Sequence, residues 1–182
     1  FLISDVGRVY ASRNLEIIAQ QGETQPDVTR VEALKLMEEG TQLFEQGTKE
    51  SLLAARDKLK AALVLWQKLE NNKKGQAVSL LGIGRVYSDL GEKRKALQYF
   101  NEALPLYRAV EDKGGEAITL NNIAEVYSNL GEKQKALQFF NQALLLKRAV
   151  EDEEATTLNN IDLVNSKLGE NNKALQLFNQ AL

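Results

Sequence analysis

Asparagine occurs in adjacent pairs at Asn121–Asn122 and Asn159–Asn160. An amide both donates and accepts, so it can pair with the main chain of an extended peptide without dictating that peptide's side chains. Ile118 and Glu125 flank the first pair at helical spacing, Leu163 follows the second, and the matching register upstream holds Leu81 and Arg85. These types suit recognition: amides for a backbone, single charges for side chains, aliphatic groups as anchors. They do not suit catalysis. The chain has no cysteine and no histidine, which leaves only oxygen donors for a metal and excludes structural zinc. The same absence eliminates cysteine nucleophiles, Ser-His-Asp triads and imidazole bases. No enzyme activity, cofactor or metal is expected.

Magnitudes limit the asparagines. At about 0.5–1.5 kcal/mol net per hydrogen bond, four amides give a few kcal/mol, whereas micromolar binding needs roughly 8. Apolar anchors must add the remainder, and Leu81, Ile118 and Leu163 are the candidates, with ordinary core burial as their other reading. The asparagines have a second reading too, in which they bond across to a neighbouring unit and stiffen it. Arg85 could take an acidic side chain of a partner, or pair with Asp89 one turn away.

Other suggestive groupings are weaker. Glu111–Asp112 and Glu151–Glu154 lie at helix ends without the alternating acids and central glycine of a calcium loop. Gly114–Gly115 lacks the strand and spacing of a phosphate loop and reads as a turn. The turns Glu92–Lys95 and Glu132–Lys135 read as solvated surface, since acids interleave and no aromatic platform is evident. A net charge of -2 and a pI near 5.4 argue against a nucleic-acid partner. No run of apolar residues approaches the roughly 18 of a membrane span.

Positioning comes from a duplication. The run Leu80–Asp112 recurs as Leu120–Asp152 with roughly two-thirds of positions identical. In the first copy Leu80, Ile83, Val86, Tyr87 and Leu90 form one helical stripe that meets Gly91, the usual left-handed stop. Ala96, Leu97, Phe100, Ala103, Leu104, Tyr107 and Val110 form a second, longer helix. A helix pair that is apolar on both members cannot bury its faces alone, so neighbours must stack on it.

Small residues at Gly84, Ala96 and Ala103, repeated as Ala124, Ala136 and Ala143, alternate with Tyr87, Phe100, Tyr127 and Phe140. This pattern resembles the tetratricopeptide repeat (TPR), with its small residue and Tyr on the first helix and Ala, Phe and Ala on the second. Arg108 and Arg148 stand where the family usually places Pro, and the period is longer, near forty residues. That form is similar to the arrays of kinesin light chains and of many bacterial, often cyanobacterial, tandem-repeat proteins. The resemblance implies an all-α, right-handed α-solenoid whose first helices line a concave, protein-binding face. It also implies contact between peptide backbone and Asn121, Asn122, Asn159 and Asn160. The family's clamp for a terminal carboxylate needs Lys and Arg where Leu81, Arg85 and Thr156 stand, so that clamp is not expected.

The expected organisation is an N-terminal helix and linker (1–32), a divergent unit (33–76), two clear units (77–116 and 117–154) and a shortened one (155–182). In the divergent unit, three additional residues fall in the turn around Gly47–Ala54. Pro105 should kink the second helix that carries it. The chain opens on Phe1, which reads as a processed or trimmed start, and stops within a second helix. Leu175, Phe178 and Leu182 would then lack a cover, so self-association through that end, or a spacer or regulatory role in a larger and possibly protease-containing protein, is the alternative to peptide capture. The partner expected is a protein or peptide.

Overall fold

The computed structural model describes residues 28–69 and 71–150, with the side chains of 148–150 excepted. The N-terminal leader and the fourth unit, with Asn159, Asn160 and Leu163, lie outside the described residues. Six helices follow one another: α1 (Val28–Glu45), α2 (Lys49–Lys68), α3 (Lys73–Asp89), α4 (Lys93–Ala109), α5 (Lys113–Asn129) and α6 (Lys133–Val150). Among the described residues there is no strand. Each helix packs on the next, and the first helices of neighbouring pairs also touch, α1 with α3 and α3 with α5. The architecture is an α-solenoid of helix pairs.

Within each pair the turn is built by glycine. Gly47, Gly91 and Gly131 adopt φ of 67, 78 and 80°. At Gly91 the next amide, Glu92 N–H, donates back to Tyr87 O at 2.8 Å, and Gly91 N–H donates to Ser88 O at 3.0 Å. This Schellman closure satisfies carbonyls that the helix end leaves open. It recurs at Gly131, with Glu132 N–H to Tyr127 O at 2.9 Å.

Between pairs the same closure is made without glycine. Asp112 N–H donates to Tyr107 O at 3.0 Å around Glu111, whose φ is 53°. A left-handed non-glycine residue costs roughly 1–2 kcal/mol, so packing on both sides must hold it. The glycines expected to form this turn lie elsewhere: Gly114 and Gly115 belong to the first turn of α5, and Gly115 N–H donates to the Asp112 carboxylate at 2.9 Å. Glycine is the commoner left-handed residue, which is why the sequence points to Gly114 and Gly115 rather than to Glu111.

The additional residues near Gly47 do not lengthen a turn either. They extend α2 to 20 residues against 17 in α4. Three residues complete most of a helical turn, so Ala55, Leu59, Ala62 and Trp66 keep their inward register. Thr48 caps the extension in a reciprocal box, each of Thr48 and Ser51 accepting the other's backbone N–H at 3.1 Å. α4 continues through Pro105, which is exposed.

Small residues set the spacing between helices. A Cβ on Gly84 would lie 2.5 Å from the Phe100 ring, and one on Gly75 would lie 2.4 Å from the Trp66 indole. Those rings are 1% and 0% exposed. Full burial of such a ring removes 150–250 Å² from water and dominates the packing of the unit. Trp66 also has its indole N–H 3.0 Å from Met37 Sδ, which ties the core of α2 to α1.

Candidate functional site

The variable positions of the first helices place charged and amide groups on neighbouring helices. Arg85 on α3 places its guanidinium 4.9 Å from the centre of the Phe44 ring on α1. Burial holds the Arg85 guanidinium below its ordinary value, and the negative charges of Asp89 and Glu125 act in the opposite direction. Arg85 thereby meets Phe44 on α1 and feels the charges of Asp89 on its own α3 and Glu125 on α5. Asp89 is exposed at the end of α3, and partial desolvation there raises its carboxyl from the ordinary value against the attraction of Arg85 and Lys93.

Asn121 and Glu125 are joined. Asn121 Nδ2 donates to Glu125 Oε1 at 2.7 Å, one turn along the same helix, and Asn121 is 9% exposed. Asn121 and Glu125 thus form one hydrogen-bonded pair on α5, and Arg85 of the preceding first helix feels the charges of Glu125 and Asp89.

Asn122 stands apart from them. It holds in α5 the register that Gly82 holds in α3, where a Cβ would meet Leu59 of the preceding α2 at 3.1 Å. Asn122 Nδ2 is buried without a hydrogen-bond partner, and leaving a buried donor unmade costs about 1–3 kcal/mol.

The apolar candidates divide. Leu81 is 6% exposed and belongs to the core, whereas Ile118 is half-buried and packs against its edge. Leu81 is largely consumed in holding the fold, leaving Ile118 as the more available of the two.

Sequence reading missed the aromatic platforms. Tyr87 stacks on Tyr99 with ring centres 5.3 Å apart, and Tyr127 stacks on Phe139 at 5.5 Å. Lys95 lies 5.3 Å above the Tyr87 ring and Lys135 5.2 Å above Tyr127. The turns read as plain solvated surface therefore do carry an aromatic platform, because the Schellman turn folds the two aromatics back onto each other. A signal was present, since an aromatic pair twelve residues apart recurs in both copies. Each lysine also pairs with the glutamate that opens its helix, Lys95–Glu92 and Lys135–Glu132 both at 2.5 Å.

No group of three or more acidic, cysteine or histidine side chains gathers to hold a metal among the described residues. Nor is any described helix long and apolar enough to cross a membrane.

The tetratricopeptide repeat family model matches residues 43–109 and 115–182. The chain belongs to this family, whose members are generally protein-interaction modules. Solved structures share the fold, among them the following two. The apo form of RapI superposes with a TM-score of 0.72 at 19% identity over 87% of this chain and 56% of its own. BtubC (BKLC) from P. vanneervenii superposes with a TM-score of 0.69 at 19% identity over 90% of this chain and 66% of its own. The chain thus spans just over half the length of the first and about two-thirds of the second. No curated protein matches it in sequence.

Proposed function

We propose that this chain is an interaction scaffold that binds an extended peptide, or an extended segment of a partner protein, on the concave face lined by its first helices. The observation that carries this reading is that adjacent first helices present Arg85 and the hydrogen-bonded pair Asn121–Glu125, with the Glu125 charge acting on Arg85, at positions where an otherwise duplicated sequence differs. Scaffold positions repeat because stacking requires them; positions freed from that requirement are open to recognition.

Within this reading each residue has a distinct part. Asn122 brings an amide donor that lacks an acceptor in the free chain, and a peptide carbonyl supplies one once the side chain turns outward. Asn121 engages by exchanging its Glu125 partner, which makes Glu125 available to a basic or amide group. Ile118 is the apolar anchor. Asn159, Asn160 and Leu163 extend the same register into the unit at 155–182, following 77–116 and 117–154.

The test is a peptide selected from a random library against the whole chain, measured by anisotropy. Replacing Asn121, Asn122, Asn159 and Asn160 together by Ala should weaken binding by roughly a hundredfold, as expected when about 3 kcal/mol of hydrogen bonding is removed. Helix content should stay constant. Affinity equal to wild type would refute the reading.

A second reading, self-association or a spacer role, draws on Leu145, which is 67% exposed on α6. Light scattering across protein concentration decides it, because a constant monomer mass rules out pairing.

A further inference from the structure

The Tyr87–Tyr99 platform carries one cation more than its neighbours neutralise. Lys60 reaches from α2 across to it, with its ammonium 5.5 Å from the Tyr87 ring centre and 5.9 Å from that of Tyr99. It donates a hydrogen bond to the Tyr87 hydroxyl at 3.1 Å. Two further cations stand nearby, and each has its own carboxylate: Arg56 with Asp57 at 2.8 Å, Lys95 with Glu92 at 2.5 Å. Lys60 pairs with no carboxylate among the described residues.

The arrangement is confined to one unit. The register of Lys60 in the next second helix is occupied by Asn101, and Tyr99 is replaced by Phe139. The platform at Tyr127 therefore has only Lys135, already matched by Glu132. One turn beyond Lys60 lies Val64, 50% exposed, an apolar neighbour on the same side of α2.

A lysine usually pays side-chain entropy to form an exposed ion pair, which is why such pairs contribute little. Two rings and a hydroxyl already hold Lys60, so that cost is met before any partner arrives. Three ammonium protons and one protein acceptor leave donors open. A phosphate, carrying about -1.5 to -2, would be under-neutralised by a single unmatched charge, whereas a carboxylate matches it.

We propose that Lys60, seated on Tyr87 and Tyr99 beside Val64, is a docking point for an acidic segment of a partner protein, taking one Glu or Asp carboxylate. It involves none of the asparagines and does not depend on the peptide-binding reading above.

The experiment uses the whole chain and a fluorescein-labelled hexaglutamate peptide, followed by anisotropy at low salt. Lys60→Gln and Lys60→Met should each weaken binding roughly fivefold, the upper end for an exposed ion pair. Lys58→Gln, at a lysine already paired with Glu39, should leave it unchanged. Emission of Trp66 reports whether each variant is folded. The proposal is overturned by no binding to wild type, by wild-type affinity in both Lys60 variants, or by an equal loss in Lys58→Gln, which would mean diffuse attraction. Displacement of the peptide by an equal concentration of inorganic phosphate would overturn it as well, by identifying a general anion site.

Discussion

The guanidinium of Arg85 lies 4.9 Å from the centre of the Phe44 ring, one helix pair away, while Glu125 of the following pair contributes an opposing charge. A residue that sequence reading offered to a partner is thus also a link along the array. Binding at Glu125 and Asn121 would act on the same link, because the groups are shared.

Asp89 supplies the pH test of this cluster. The residue is exposed, yet partial desolvation raises its folded-state pKa above the ordinary 3.8. Well below that value it is protonated in both folded and unfolded chains and contributes no difference. As pH rises through the raised folded value, ionisation costs stability. Asp89→Asn should therefore be slightly more stable than wild type at pH 7 in urea unfolding, the gain kept small by solvent screening of an exposed group, with the gap closing toward pH 3. A gap that widens on acidification would contradict the assignment.

Phe100 should be a principal determinant of stacking. Phe100→Ala should cost about 3–5 kcal/mol as a buried aromatic truncation, read from the urea midpoint. Its partner gives the complementary test. Gly84→Ala should destabilise by about 1–3 kcal/mol through overpacking, despite Ala being the better helix former by roughly 1 kcal/mol, because its Cβ would meet the Phe100 ring at 2.5 Å.

Trp66 is the sole tryptophan and is fully buried, so native emission should be blue-shifted and move red on unfolding. Met37→Leu removes the sulfur that faces its indole N–H at 3.0 Å. With volume nearly kept, the loss should reflect the orphaned donor, about 1–3 kcal/mol. A change below a few tenths of a kcal/mol in denaturation would show that the contact is incidental.

Two helix caps should differ in weight. Thr48→Ala should cost about 0.5–2 kcal/mol, the usual value of an N-cap. Asp112→Ala should cost more, because Asp112 both accepts from Gly115 N–H at 2.9 Å and pairs with Lys74 at 3.2 Å. Thermal unfolding of the two variants side by side checks the order, and Thr48→Ala proving the costlier would reverse it.

The repeat pattern alone determined that this is an array of helix pairs. Spacing of three and four, the small–large alternation from Gly84 to Phe140, and Gly91 and Gly131 after their helices are local signals, and local signals survive in one dimension. Tertiary structure decided what the variable residues do. Leu81 is a core residue, Asn121 is bound to Glu125, and Arg85 rests on a phenylalanine 41 positions earlier. It also put Lys60 on a tyrosine pair that the turn at Gly91 brings together. Such contacts join residues on different helices, and their partners follow from how far each pair rotates on the last. That rotation is set by the packing of many buried side chains at once, so no short stretch of sequence contains it.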